Sequence, residues 1–376
     1  MARFTALTSR GLVDVLHEEV AQLPVKSVRV EGNSVSFECS WAECYRANLL
    51  LKTATRIVLP ILDFPAYQPD DLYNNIKRHD FTKYIDPDQT LVLDVSVRDS
   101  SFRDQRFVAM KIKDAIVDQF SNKFGRRPDV DKDNPDLRVL VRVVKNQVSL
   151  AIDTSGETLS MRGYRDAGGV APLREHLAAG LLQLAGWQPG VPLVDPMCGS
   201  GTFIIEAALQ ELGMAPGLFR RDYGFKRLKN YEDEKFKTAL REVRQLKHMP
   251  ASEPRLFGSD ISGRAIRDAE SNARMARVSD YVSFSESDFR LLQPPKTDPG
   301  IIIVNPPYGE RLSSSVDITR LYGDFSRVLK ERFKGWTLWL LSGSEDLTQH
   351  LHLKAERKIP VFNGNIECRF LKYEIR

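Results

Sequence analysis

The first sixty positions alternate short apolar runs with amphipathic ones. Phe4–Thr8 reads as a strand, Gly11–Val20 as a helix, and Val25–Val30 and Ser34–Cys39 as strands joined through Gly32-Asn33. Trp41–Leu50 follows as a helix and Arg56–Leu59 as a strand, the β-α-β-β-α-β order of a split βαβ layer. Pro60, Pro65 and Pro69 then predict a break. A second unit runs from about Asp70 to Asp153. Leu91–Val97 alternates as a strand, and Arg106–Phe120 sets Val108, Ile112, Ile116 and Phe120 on one helical face. Leu137–Val143 and Gln147–Asp153 pair as a hairpin across Lys145-Asn146. Ser155–Gly169, rich in Gly, Ser and Arg, predicts a linker, and Pro172–Leu184 a helix with proline in its first turn.

From about Val191 the pattern changes to short apolar strands, each followed by a helix, which marks a doubly wound α/β domain. The strands fall at Val191–Asp195, Arg255–Asp260, Val282–Asp288, Ile301–Asn305 and Trp336–Ser342. Helices are predicted at Phe203–Leu209, Gly263–Arg277 and Ile318–Phe333. Lys358–Phe362 and Cys368–Ile375, separated by Asn363-Gly364-Asn365, read as a closing β-hairpin, which adds an antiparallel strand to the sheet.

Composition narrows the class. Over 376 residues, 42% hydrophobic and 28% charged residues are a globular balance that excludes a disordered chain. No apolar run approaches the roughly 18 residues of a membrane span, and no secretory signal opens the chain. The four cysteines lack CxxC or Cys/His spacing, so neither a zinc site nor a disulfide framework is expected, and no metal is called for. A reducing cytoplasm is the expected compartment. Net charge is +4, and Arg98–Arg127 alone carries that excess, with eight basic residues against four aspartates. Such a local field favours a polyanion, although charged helix faces also occur in proteins that bind none. Arg98, Arg103, Arg106, Lys111, Arg126 and Arg127 are its candidate contacts to such a polyanion.

Four strand ends carry the chemistry. Asp195-Pro196-Met197-Cys198-Gly199-Ser200-Gly201-Thr202 links an apolar strand to a helix, where glycines let the backbone approach a ligand and helix amides face it. A simple tight turn would also account for it. Ile204 stands where the dinucleotide fingerprint needs a third glycine, and the lysine of a P-loop is missing. Asp260 ends the next strand, where a carboxylate can accept both ribose hydroxyls. Asp288 ends the one after and can accept an adenine amino hydrogen, with Ile261 or Phe289 against the ring. The bland reading of each aspartate is a helix cap. Asn305-Pro306-Pro307-Tyr308 follows the buried-strand pattern Ile301–Val304. The prolines forbid helix at Asn305, so its amide and the Pro306 carbonyl can converge on one exocyclic amine while Tyr308 stacks on the base.

The Asp195–Thr202 and Asn305–Tyr308 segments resemble the cofactor loop and catalytic motif of class I methyltransferases that use S-adenosylmethionine on exocyclic amines. Lys113–Asp118, Arg162-Gly163-Tyr164-Arg165, Ala171-Pro172-Leu173-Arg174-Glu175 and Asn363-Gly364-Asn365-Ile366-Glu367-Cys368 extend the likeness over the whole chain, which resembles the bacterial THUMP-domain RNA methyltransferases. That family includes the N2-guanine methyltransferase of 23S rRNA.

The resemblance implies a ferredoxin-like domain at 1–64, a THUMP RNA-binding domain at 65–155, a linker and helix at 156–190, and a Rossmann-like methyltransferase domain with its hairpin at 191–376. It implies S-adenosylmethionine as cofactor and RNA, 23S rRNA first, as partner. Guanine N2 of transfer RNA and a non-catalytic RNA-binding assembly factor remain alternatives, and the motif alone serves adenine N6 as well. Some relatives carry a second methyltransferase domain; with the chain ending at Arg376, no second activity is expected. Gly201 to Asp260 exceeds the roughly 20-residue spacing of a dinucleotide unit. The excess, Leu212–Pro250, includes the basic and aromatic run Arg220–Arg227, for which RNA contact is the expectation against a solvated insertion.

Overall fold

β1 (Ala2–Leu7), α1 (Val13–Ala21), β2 (Lys26–Glu31), β3 (Ser34–Cys39), α2 (Trp41–Leu50) and β4 (Arg56–Pro65) open the chain in the order its periodicity predicts. The computed structural model describes residues 1–165, 173–250, 255–306, 315–343 and 348–376. α2 starts at a reciprocal capping box between Ser40 and Glu43, which satisfies two helix-end donors.

β4 does not stop at Pro60. It runs on to Pro65, because its ladder to β8 (Gln147–Asp153) shifts register between Pro60 and Leu62, and a bulge tolerates a residue with no N–H. As a result β4 pairs with β1 on one side and β8 on the other, and the first two units share one 8-stranded sheet. Its remaining members are β5 (Thr90–Arg98), β6 (Asp129–Val130) and β7 (Leu137–Val144), in the order β2-β3-β1-β4-β8-β7-β5-β6. Pro69, expected to break the chain, instead opens α3 (Pro69–Lys77), where a missing N–H costs nothing. α4 (Gln105–Phe124) buries the predicted stripe Val108, Ile112, Ile116 and Phe120. Lys145 and Asn146 both take positive φ, 50° and 64°, as a two-residue hairpin requires.

The linker expectation fails over the part described. Ser155, Leu159, Ser160, Arg162 and Tyr164 are buried. The Arg162 guanidinium donates to the carbonyls of Lys52 and Leu159 and lies 3.5 Å from Glu206, so its polarity serves internal bonds in place of water. α5 spans Glu175–Leu184; Pro172, its predicted start, lies outside the described residues.

The C-terminal half contains β9 (Leu193–Asp195), α6 (Thr202–Glu211), α7 (Asp233–Gln245), β10 (Leu256–Asp260), α8 (Gly263–Met275), β11 (Ser283–Glu286), β12 (Ile301–Val304), α9 (Ser315–Arg332), β13 (Thr337–Ser342), β14 (Arg357–Asn363) and β15 (Ile366–Glu374). Their sheet runs β11-β10-β9-β12-β13-β15-β14, with β15 antiparallel to both its neighbours. All four residues of β12 are buried, as a strand covered on both faces must be. The chain leaves β9 toward β10 and β11, then returns to β12 on the other side of β9. That reversal opens a crevice at the C-terminal ends of β9 and β12.

Much of the Leu212–Pro250 segment, for which RNA contact is the expectation, serves the fold. Tyr223 and Phe225 are buried among Tyr45, Phe236 and Tyr231, and α7 presses Phe236, Ala239 and Val243 into the core of the first unit. Arg220 donates to the carbonyls of Ser155, Glu157, Thr158 and Met161, and Arg227 to that of Pro135. Apolar burial takes the aromatics, and backbone oxygens take these two arginines. The segment joins the domains.

Candidate active site

β9 ends on Asp195, 2% exposed, and the chain then turns through Pro196 and Gly199 into α6. Asp195 Oδ1 accepts the Met197 N–H at 3.2 Å. Burial raises its carboxyl well above the usual range, the Met197 bond opposes the rise, and the nearby Asp260 adds to it. No cation pairs with it among the described residues. Gly199 takes φ 53° with nothing within 4 Å of where a Cβ would stand, so the loop is open there. Gly201, at φ 79°, has no such room: a Cβ would lie 2.8 Å from the Phe284 ring. The Asn272 amide donates to the Ser200 carbonyl at 3.1 Å and fixes the loop between them.

Asp260 accepts two backbone N–H groups, Gly199 at Oδ2 and Ser262 at Oδ1, both at 2.9 Å. A carboxylate has about four lone-pair sites, so it can still accept from a ligand. Ile261 beside it is 68% exposed and offers an open apolar face. Asp288 is more committed. Its Oδ1 accepts the Arg290 N–H and its Oδ2 the Arg290 guanidinium, both at 2.9 Å, and Arg290 also pairs with Asp324 at 2.9 Å. Phe289, expected as an alternative to Ile261 against the ring, is 7% exposed and packs edge-on to Phe325 in the core. Between the two, Ile261 is left to face a ring.

Asn305 follows β12 with Pro306 buried behind it, and Asn305 Oδ1 is buried with no hydrogen-bond partner among the described residues. An orphaned buried acceptor costs about 1–3 kcal/mol, a cost that a ligand donating a hydrogen bond to it would offset. Pro307 and Tyr308 lie outside the described residues.

Arg165 carries no assigned role in the sequence reading, yet it reaches the site. Its Nη2 donates to Thr202 Oγ1 at 2.5 Å, at the first turn of α6, and its Nη1 lies 3.6 Å from Glu175. No local pattern links positions 37 residues apart, so sequence spacing gives no signal of this contact.

The basic stretch divides. Arg98, Arg103 and Arg106 lie before and at the first turn of α4, with Lys111 further along it, while Arg126 and Arg127 lie past its last turn. Twenty residues of helix at ~1.5 Å each put the two ends about 30 Å apart. Arg98, Arg106 and Arg127 pair with Asp99, Asp104 and Asp118, each at 3.4 Å. The six therefore form two separate clusters. Among the described residues no group of His, Cys, Asp or Glu is placed to hold a metal ion, and no helix is long and apolar enough to cross a membrane.

Residues 162–372 match the model of the RMKL-like methyltransferase domain. The chain belongs to that methyltransferase family. Residues 66–153 match the THUMP domain and residues 3–58 the RlmL ferredoxin-like domain. The methyltransferase thus has the expected fold class, a Rossmann-like catalytic domain with a terminal hairpin behind ferredoxin-like and THUMP domains, and its family uses S-adenosylmethionine. Among solved structures it is similar over 100% of its length to SMU.472, taken for a methyltransferase and solved with SAH, at 27% identity, 98% coverage of that chain and TM-score 0.90. A protein of Clostridium difficile 630 taken for a methylase matches at 29% identity, 100% and 98% coverage, and TM-score 0.90. A predicted N6-adenine-specific DNA methylase from Listeria monocytogenes matches at 29% identity, 100% and 96% coverage, and TM-score 0.89.

Proposed function

We propose that this methyltransferase acts on RNA, moving a methyl group from S-adenosylmethionine to the exocyclic amine of a base, with guanine N2 of 23S rRNA as the target. The observation that carries the reading is Asn305 Oδ1, buried and unpartnered among the described residues, at the mouth of the β9–β12 crevice. The THUMP and RlmL ferredoxin-like matches support RNA as the substrate class.

The open loop at Gly199 and the uncommitted lone pairs of Asp260 fit an adenosyl group, so Asp260 would take the ribose hydroxyls and Ile261 the adenine face. Asp288, already bonded to Arg290, would accept the adenine amino hydrogen through a remaining lone pair. Asp195, buried without a cation, suits the ammonium of the amino-acid end. When bound, the cofactor supplies a sulfonium-activated methyl group. An exocyclic amine is a poor nucleophile because its lone pair is delocalised into the ring. Asn305 Oδ1 and the Pro306 carbonyl accept its hydrogens, hold nitrogen in line and stabilise the positive charge that develops there. Tyr308 is proposed to stack on the base, which must first leave its helix or already lie unpaired. Arg98, Arg103, Arg106, Lys111, Arg126 and Arg127 are proposed to hold RNA phosphates.

Mass spectrometry of nucleosides from a strain lacking the protein tests this. Loss of one N2-methylguanine from 23S rRNA is expected. Loss from transfer RNA would move the target. Loss of N6-methyladenine from DNA, the activity named for the Listeria protein, would overturn the RNA reading.

A further inference from the structure

The loop Ser9–Leu12 plugs the first sheet into the catalytic domain, and three of its four residues are fixed there. Ser9 Oγ lies 2.7 Å from Nε2 of the buried His176. Burial and the charges of Arg162 and Arg174 push that imidazole down to about 3, so the bond is made by a neutral ring. A Cβ on Gly11, at φ +89°, would stand 2.3 Å from the Pro360 carbonyl oxygen, so this contact requires glycine. Leu12 is fully buried in the catalytic core, close enough to α5 that a Cβ on Gly180 would meet it at 2.7 Å. Arg10 is the long side chain of the loop that stays in solvent, its guanidinium carbon 5.2 Å from the Phe362 ring centroid.

Phe362 is next to the tip of the β14–β15 hairpin. A second exposed arginine reaches the same tip, since Arg174 Nη2 is 3.8 Å from where a Cβ on Gly364 would stand. Neither arginine makes an ion pair among the described residues, whereas Glu367 on the hairpin is engaged by Arg369 at 3.5 Å. The strand registers place this tip. Val304 is level with Leu340, Leu371 and Lys358 across successive strands, so Asn305 is level with Ile359. Phe362 stands about 10 Å beyond that level, and β14 lies three strands, about 14 Å, across from β12. The hairpin is therefore a wall at the active-site edge, bearing two uncompensated guanidinium groups from separate parts of the chain.

We propose that Arg10 and Arg174 form a phosphate-binding wall for the RNA strand that enters the active site. The proposal rests on the RNA reading above. A base drawn into the crevice leaves its neighbouring phosphates at the rim, and the resulting separation of about 17 Å corresponds to about five phosphates of a stacked strand. Guanidinium groups suit phosphate oxygens because their donors form a planar fork. The wall gives the N-terminal domain a direct hand in substrate binding, separate from the clusters at the ends of α4.

The test uses the full chain, an unmethylated 23S rRNA transcript and labelled S-adenosylmethionine. The R10A/R174A double variant should raise the KM for RNA about tenfold. It should also lower the slope of log affinity against log salt by about 1.4–1.8, one contact each. The cofactor dissociation constant and the melting temperature should stay unchanged. The R10K/R174K variant, which keeps the charges, should restore most of the slope; R10E alone serves if the double variant does not fold. A wild-type protein that binds RNA, with the alanine and glutamate variants matching its slope and KM, overturns the wall alone. A wild-type protein that neither binds nor methylates RNA overturns the RNA reading, and the wall with it.

Discussion

Asp260 Oδ2 accepts the Gly199 N–H at 2.9 Å across 61 residues of sequence. One carboxylate at the end of β10 thus positions the glycine loop that leaves β9, while its other oxygen caps the turn at Ser262. Asp260→Ala should remove the loop anchor together with the proposed ribose acceptors. Hydrogen bonds to a charged group are worth about 1.5–3 kcal/mol, so cofactor affinity should fall by about 10- to 150-fold. Asp260→Asn should be nearly as damaging, because its amide NH2 must face a backbone N–H. Calorimetric titration of the three proteins decides it, and an unchanged Asp260→Ala affinity would remove this residue from the site.

Asp195 should trade stability for binding. Burial raises its folded-state pKa well above the unfolded value, so the native protein binds the extra proton and stability falls as pH rises through the interval between the two. Asp195→Asn removes that penalty. The variant should melt higher than the parent, by a margin that is small near pH 4, grows with pH and levels off above the folded pKa. It should also bind S-adenosylmethionine more weakly, having lost the charge proposed to meet the ammonium. Melting curves from pH 4 to 9 with and without cofactor test both halves. A variant that is less stable at every pH would contradict the assignment.

Legibility followed the range of the interactions. Helix α2 and strand β8 match their predicted bounds, and the hairpins match their predicted turns, because capping, alternation and positive-φ turn residues act within a few positions. The continuation of β4 past Pro60 is not legible locally, because the pairing that carries it comes from β8, some ninety residues away. The burial within Ser155–Tyr164 and of the aromatics in Leu212–Pro250 is not legible locally for a related reason. Arginine-rich and aromatic composition looks the same whether its partners are RNA phosphates or, as for Arg162 and Arg220, buried carbonyls of another domain. At the site, Asp195 and Asp260 at their strand ends, Asp288 just past β11 as the cap of the next turn, and Asn305 are visible as residue types in order. That Phe289 belongs to the core and that Arg290 is shared between Asp288 and Asp324 depends on α9, which packs there from elsewhere in the chain.

The two basic clusters at the ends of α4 should act independently. About 30 Å apart, they fall outside a Debye length at physiological salt, so their effects on RNA binding should add. Replacing Arg103 and Arg106 by alanine should lower the salt slope by about 1.4–1.8, and replacing Arg126 and Arg127 should do the same. The fourfold variant should show the sum. Their ion pairs with Asp104 and Asp118 are exposed, so melting temperatures should change little. If only one pair alters the slope, RNA contacts one end of the helix; if neither does, the α4 assignment is wrong.

Asn305 separates chemistry from stability most sharply. Its buried Oδ1 has no partner among the described residues, so that oxygen contributes a desolvation cost with no compensating hydrogen bond from them. Asn305→Ala should therefore leave the melting temperature equal or higher. Removing one preorganised acceptor from a transition state typically lowers turnover by about 10²–10³, and single-turnover methyl transfer should fall by that order. The cofactor dissociation constant should stay within a few-fold, since the amide is proposed to face the target amine. Asn305→Asp keeps an acceptor of similar shape and should retain part of the activity, more so where the substrate amine gains positive charge early. If Asn305 only ended a strand before two prolines, both substitutions would destabilise the fold and any folded protein would methylate normally. A folded Asn305→Ala protein that transfers methyl groups at the parent rate would therefore leave the orphaned oxygen without a role in catalysis.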